Sequence, residues 1–279
     1  TGTASPAVDI TTCPTAGKFL LDGADFERTR SISLDTKSMR LDRTRQLMAA
    51  LGNPQDGFRS VHIAGTVGKG STVAMVAAML RACGYTVGEY TSPHLIDVRE
   101  RIVINGKPIG RAEFTDAVRA VAAASADLPF QPTFFEFITA VAFKHFLDQA
   151  VDIAVVEVGL GGRLDCTNVI TPEVAVICGI DYDHMHILGK TLPEIAREKA
   201  GIFKAGVPAL SIEQPPEVEA AMREVAEQVG CPLSFVNKEI EFSYRFGASA
   251  HRGPETRVCL FSPTTRFEHV PVPLPGEHQ

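Results

Sequence analysis

Residues 62–83 constrain the fold of this chain more than any other stretch. His62-Ile63-Ala64 closes an apolar run, Gly65-Thr66-Val67-Gly68-Lys69-Gly70-Ser71-Thr72 follows, and Val73 to Leu80 continues as an apolar helical segment. A strand, a glycine-rich turn and a helix in that order aim backbone N–H groups and a helix N-terminus at an anion. Gly65, Gly68 and Gly70 let the main chain turn tightly and approach a phosphate. Lys69 reaches terminal phosphate oxygens, and the hydroxyl of Ser71 or Thr72 serves phosphate or metal. The strict P-loop pattern has Ser or Thr directly after Gly-Lys, whereas here Gly70 stands between Lys69 and Ser71.

Around this unit strands and helices alternate. Helical spacing predicts helices over about 15–30 and 41–51 before the first strand, and Gly84 ends the helix that follows the glycine loop. Tyr85 to Tyr90 reads as a second strand. Arg101 to Ile109, turning at Asn105-Gly106, reads as a hairpin. Helices are predicted over 111–126 and 134–149, with Phe135, Ile138, Ala142 and Phe146 on one core-facing stripe of the second. Asp152–Val158, Val174–Ile180 and Val207–Ile212 are continuous apolar runs of the kind parallel strands need when both faces are buried, separated by helices over 192–203 and 217–229. The pattern predicts an α/β fold, a doubly wound and mostly parallel sheet with a P-loop, whose ligands sit at the strand C-termini. Residues 1–14 read as an irregular segment, 15–279 as one P-loop domain, and 233–279, with its shorter alternating stretches, as a small antiparallel β extension.

A chain of 279 residues with 45% hydrophobic content has ample material for a packed core. No apolar run approaches the roughly 18 residues of a membrane span, and the first residues lack the order of a signal peptide, so a cytoplasmic protein without a membrane partner is expected. Six cysteines without C-x-x-C spacing suggest neither a zinc knuckle nor a disulfide framework, and a net charge of -6 disfavours nucleic acid as a partner. The start at Thr1 and the stop at Gln279, directly after Leu274-Pro275-Gly276-Glu277-His278, read as cut ends.

Three polar clusters close predicted strands. Tyr90-Thr91-Ser92-Pro93-His94 offers hydroxyls for a magnesium ion or merely a Ser-Pro turn. In Val155-Val156-Glu157-Val158-Gly159-Leu160-Gly161-Gly162-Arg163-Leu164-Asp165, a carboxylate inside an apolar strand needs a partner or a cation, so Glu157 reads as functional. Gly179-Ile180-Asp181-Tyr182-Asp183-His184-Met185-His186 fits a magnesium–nucleotide role, with a transition-metal site as the alternative. Further on, Leu192 to Ile202 carries Glu194 and Glu198, read as a solvated helix face, and Lys199, which its small neighbours Ala200 and Gly201 let turn inward.

Together these segments resemble folylpolyglutamate synthase and dihydrofolate synthase of the Mur ligase superfamily. The matching stretches are GTVGKGST, YTSPHL, TFFEFITAVAF, VVEVGLGGRLDCTN, GIDYDHMHILGKTLPEIAREKAGI and LPGEHQ, in family order over about residues 40–279. The resemblance implies ATP-dependent ligation of L-glutamate to a folate or to dihydropteroate through an acyl phosphate, by an enzyme that is usually monomeric. It implies that Gly65, Thr66, Gly68, Lys69, Gly70 and Ser71 hold ATP, that Ser92, Glu157 and His184 hold magnesium, and that Lys69, Glu157, His184 and Lys199 are catalytic. A carbamate on Lys199 and a monovalent cation belong to the same expectation. The pterin is expected near Thr133 and the Leu164-Asp165-Cys166 turn, with Met39 to Leu41 as a further contact.

The chain departs from the family at Val67, where the family has Asn, and the resemblance implies a C-terminal Rossmann-like domain whose segments are not expected within these 279 residues. Catalysis by enclosure would then be incomplete in this chain alone. Other classes share parts of the pattern: a nucleotide-binding module without ligase activity, a P-loop ATPase or kinase in which Glu157 positions water or a hydroxyl, and a Mur ligase acting on a cell-wall precursor. The TFFEFITAVAF and LPGEHQ segments disfavour the last.

Overall fold

The computed structural model describes residues 10–22, 41–249, 253–262 and 264–272. Two helices, α1 (Cys13–Asp22) and α2 (Leu41–Ala50), precede β1 (Arg59–Ala64), which runs into the glycine loop and α3 (Lys69–Ala82). Then come β2 (Val87–Tyr90), the hairpin β3 (Ile102–Ile104) and β4 (Lys107–Pro108), the helices α4 (Arg111–Ser125) and α5 (Phe134–Asp148), and β5 (Ile153–Glu157). The chain continues through β6 (Val174–Ile177), the short α6 (Met185–Leu188), α7 (Leu192–Ala200), β7 (Ala209–Ser211), α8 (Pro216–Val229) and β8 (Leu233–Phe235). It ends in β9 (Glu241–Ser249), β10 (Gly253–Phe261) and β11 (Arg266–Val272).

The main sheet has eight strands in the order β4-β3-β2-β5-β1-β6-β7-β8, parallel from β2 to β8 with the β3–β4 hairpin antiparallel at one edge. Period-two burial explains the two layers. Val61 and Ile63 of β1 pack with Val73 and Ala77 of α3, whereas Ala154 and Val156 of β5 pack with Phe143 and Phe146 of α5 on the opposite face. Each fully buried aromatic there stabilises by about 2–3 kcal/mol. After β1 the chain builds β2 and β5 on one side and then crosses to β6 on the other. The C-terminal end of β1 is therefore the switch point where a parallel sheet opens its ligand crevice.

Two boundaries differ from expectation. The first helix begins at Cys13, inside the segment expected to be irregular, because Thr15 accepts from the Thr11 and Thr12 amides and Ala16 is buried. Leu233–Phe235 is not part of an antiparallel extension. It pairs in parallel with β7 and buries Phe235, and the separate three-stranded antiparallel sheet starts only at Glu241. A three-residue strand is too short for its alternation to show which sheet it joins. Met39, most of the segment expected to form the first helix beyond Asp22, and the terminal LPGEHQ lie outside the described residues.

Candidate active site

The glycine loop lies at the end of β1, and tertiary hydrogen bonds divide its donors. Thr66 and Val67 both give their N–H groups to the Gly179 carbonyl, at 2.7 and 3.3 Å, and the Thr66 hydroxyl donates to the Asp181 carbonyl at 3.0 Å. Gly65 is buried with φ 152°, and a Cβ there would lie 2.7 Å from the Cys178 Cβ, so only glycine lets the two strand ends come this close. Gly68, at φ 86°, caps α3. The first intrahelical bond runs from Thr72 N–H to the Gly68 carbonyl, which leaves the N–H groups of Lys69, Gly70 and Ser71 without intrahelical acceptors, as an anion site requires. The Thr72 hydroxyl is spent on the Gly68 carbonyl at 2.8 Å, so of the two hydroxyls Ser71, which is exposed, is the one available. Gly65 and Thr66 shape the cradle, and residues 68–71 line it.

The cradle faces a buried carboxylate. Ladder pairing sets Glu157 beside Ile63, two residues before Gly65. Its side chain accepts from the Ser92 N–H at 3.2 Å and lies 4.0 Å from the Lys69 Nζ, while Lys69 also turns back to the Thr66 carbonyl at 3.4 Å. Glu157 is 4% exposed, and burial raises its pKa despite the Ser92 amide and the Lys69 charge. One amide and one ammonium at the edge of contact do not compensate its desolvation, so the ionised group needs a cation. A carboxylate and the neighbouring Ser92 hydroxyl are the hard oxygen donors that suit magnesium. The loop carrying Ser92 is tied by hydrogen bonds: the Glu100 carboxylate accepts from the amides of Leu95, Ile96 and Asp97, and Arg101 donates to His94 Nδ1 at 2.9 Å.

His184 sits on the loop after β6 in the left-handed conformation (φ 47°), an unusual backbone for a residue with a side chain. Its half-exposed imidazole lies 3.6 Å from Asp183 and 6.3 Å from the His186 ring. Among the described residues His184 touches these two neighbours, while Ser92 and Glu157 form a hydrogen-bonded pair of their own. Lys199 is 4% exposed and donates to the Gly65 carbonyl at 2.9 Å. Burial, and then the charge of Lys69, lower its amine to about 8. A lysine so placed holds a fraction of nucleophilic free amine near neutrality.

Close backbone contacts aim Lys199. A Cβ on Gly162 would come within 2.6 Å of the Lys199 carbonyl oxygen, and one on Gly201 within 2.3 Å of the Arg163 Cβ. Glu198, expected on a solvated face, pairs with Arg163 at 2.8 Å, and Glu194 closes a capping box with Thr191 at the start of α7.

The residues expected around a pterin have internal duties. Thr133 caps α5 through a capping box with Glu136. The Asp165 carboxylate, 1% exposed, accepts from the amides of Leu160 and Thr167 at 2.8 and 2.9 Å and from the Thr167 hydroxyl. Leu164 and Cys166 flank it, half-buried, and Leu41 is buried at the start of α2. A small, partly open cavity lies beside Thr133, lined also by Leu20, Gln131 and Phe137.

Sequence reasoning missed Cys178 and Gln214. Cys178 is buried under the glycine loop with Sγ 3.3 Å from the Thr72 hydroxyl, and Gln214 donates to the Cys178 carbonyl at 2.9 Å. The one available signal was a polar Ser211-x-x-Gln214 pair closing an apolar run.

The Mur ligase middle domain matches residues 63–279, from the end of β1 onward. The chain belongs to the Mur ligase family. A dihydrofolate synthase/folylpolyglutamate synthase of Bacillus subtilis is 48% identical over 198 residues, 69% of this chain and 46% of that protein. A folylpolyglutamate synthase solved as a complex with AMPPCP and folate superposes with a TM-score of 0.84 at 35% identity, over 96% of this chain and 63% of its own. The E. coli FolC structure with DHPP and ADP gives a TM-score of 0.81 at 30% identity, over 98% of this chain and 61% of its own. The chain thus spans about half to two-thirds of the length of these relatives. Among the described residues no helix of this Mur ligase family member is long and apolar enough to cross a membrane.

Proposed function

We propose that this chain supplies the ATP-binding and metal-binding part of a ligase that joins L-glutamate to a folate or to dihydropteroate. The observation that carries this reading is the meeting of a buried Glu157, Ser92 and Lys69 at the open N-terminus of α3. Relatives bearing synthase names, and neighbouring structures holding AMPPCP with folate or ADP with DHPP, support the substrate classes. In the first step a substrate carboxylate oxygen attacks the terminal phosphorus of ATP, forming the acyl phosphate as the bond to ADP breaks. The glutamate amine then attacks the acyl carbon, loses a proton, and inorganic phosphate leaves.

In this reading the amides of residues 69–71 and the Lys69 ammonium carry the charge of the transferred phosphoryl group. Ser92, Glu157 and His184 would hold magnesium, which neutralises phosphate oxygens when bound. Lys199, with its lowered amine, is the group suited to add carbon dioxide as a carbamate. A monovalent cation completes the expected set without an assigned residue, and a pterin site is assigned beside Thr133, Leu164, Asp165 and Cys166.

The test is phosphate release with magnesium ATP and tetrahydrofolate or dihydropteroate, with and without L-glutamate, beside a direct ATP titration. Release that needs both the folate compound and glutamate supports the ligase. Glutamate-independent release points to an ATPase or kinase, and binding without turnover to a nucleotide-binding module. Lys69→Ala should weaken ATP binding about 10- to 100-fold, the worth of a charge-assisted contact. Unchanged affinity would remove the phosphate-loop assignment.

A further inference from the structure

The segment Cys178 to Asp181 is gripped from two sides. From the glycine loop, Thr66 and Val67 donate their amides to the Gly179 carbonyl, and the Thr66 hydroxyl both donates to the Asp181 carbonyl and accepts from the Asp181 amide at 3.1 Å. The Cys178 side chain adds a packing contact beneath Gly65 and a hydrogen bond with Thr72. From the other side comes Gln214, three residues beyond the end of β7. The Gln214 carboxamide, 7% exposed, donates to the Cys178 carbonyl at 2.9 Å and to the Ser211 hydroxyl at 3.2 Å, and accepts from the Ile180 amide at 3.4 Å. Ser211 in turn donates to the Ile177 carbonyl at 3.1 Å. Gln214 therefore satisfies a donor and an acceptor on either side of Gly179, the residue whose carbonyl holds the phosphate loop.

We propose that Gln214 is a positioning residue for the phosphate loop, latching the Cys178–Asp181 segment so that Gly179 captures the Thr66 and Val67 amides while the amides of residues 69–71 face a phosphate. The proposal rests on the phosphate-loop reading given above. It requires a side chain at 214 that donates and accepts at once. Alanine does neither. Glutamate, when ionised, accepts from Ile180 but repels the Cys178 carbonyl, and when protonated it recovers the donor. A residue that merely filled space would show no such distinction.

The experiment compares the full chain with Gln214→Ala and Gln214→Glu by magnesium ATP titration and by amide hydrogen exchange at Thr66 and Val67 without nucleotide. Gln214→Ala is expected to bind ATP about tenfold more weakly and to exchange both amides at least about tenfold faster, while the amides of α5 keep their protection. Gln214→Glu should resemble the alanine variant at pH 8 and approach the unmodified chain, measured at the same pH, as its carboxyl protonates toward pH 5.5. Unchanged exchange at Thr66 and Val67 in Gln214→Ala would overturn the proposal. Should that variant not fold, Gln214→Glu decides: amides and affinity at pH 8 equal to those of the unmodified chain would overturn it as well. If the unmodified chain binds no ATP, the phosphate-loop reading fails on its own, and the exchange data still decide the latch.

Discussion

The Lys199 ammonium donates to the Gly65 carbonyl oxygen at 2.9 Å, across 134 positions of sequence. One bond thereby ties the last turn of α7 to the first residue of the phosphate loop. It holds an amine with few other partners in a buried place, next to the charge of Lys69. Helix α7 thus delivers a group of adjustable charge to the site, and its placement depends on Gly162, far from it in sequence, as well as on the nearby Gly201.

The lowered Lys199 amine gives a pH signature. Its folded value is about 8, against about 10.4 when unfolded, so the unfolded chain binds more protons between those values and stability rises with pH there. Relative to Lys199→Met, the unmodified chain should gain up to about 3 kcal/mol between pH 7.5 and 10.5 in urea unfolding. A carbamylated lysine would abolish this gain, because it carries no titrating ammonium. A flat difference in carbon dioxide-free buffer would contradict the free, buried amine.

Gly162 and Gly201 are expected to be irreplaceable. Gly162→Ala drives a methyl toward carbonyl oxygens of Lys199 and Glu198 now 2.6 and 2.8 Å from where it would stand. The end of α7 must retreat, at a cost of about 1–3 kcal/mol in unfolding free energy and with weaker magnesium ATP binding. Alanine at 162 with wild-type stability and affinity would show that α7 is not seated by this contact.

Asp165 has a folding role that can be measured without any substrate. Asp165→Ala leaves the part-buried amide of Leu160 and the buried amide of Thr167 without acceptors, and roughly 3 kcal/mol should be lost. Asp165→Asn retains acceptor oxygen and should lose less. Equal, small losses in chemical denaturation would mean that the Gly159–Asp165 loop does not lean on this carboxylate.

His62 lies fully buried in β1, with Nε2 2.8 Å from the Thr167 hydroxyl. That hydroxyl gives its proton to Asp165, so the histidine is the donor through Nε2–H, and its Nδ1 has no partner among the described residues. Burial, and then the charge of Lys204, lower its pKa to about 3. The folded state therefore takes up this proton later than the unfolded chain. Stability from His62 is whole above about pH 6.5 and is lost as pH falls toward 3, with a slope of about 1.4 kcal/mol per pH unit. His62→Leu should lack that slope; parallel curves for the two proteins between pH 6 and 4.5 would refute the assignment.

What the sequence determined by itself is local. The strand, glycine turn and helix at 59–82, the Asn105-Gly106 hairpin and the parallel strands at 153–157 and 174–177 were all readable, because backbone preference and side-chain period act over a few residues. Glu157 stood out for the same reason: a carboxylate in an apolar run is costly wherever the strand goes. Tertiary structure alone decided how the site's polar atoms are shared. Only strand order brings Gly179 onto the Thr66 and Val67 amides, turns the Thr72 hydroxyl into a spent donor beside Cys178, and seats Lys199 on Gly65. It also assigned Leu233–Phe235 to the main sheet and gave Thr133 and Asp165 to capping and loop closure. A hydrogen bond goes to whichever acceptor lies within about 3 Å, and for partners more than a hundred residues apart that distance is set by packing, which no spacing in the sequence encodes.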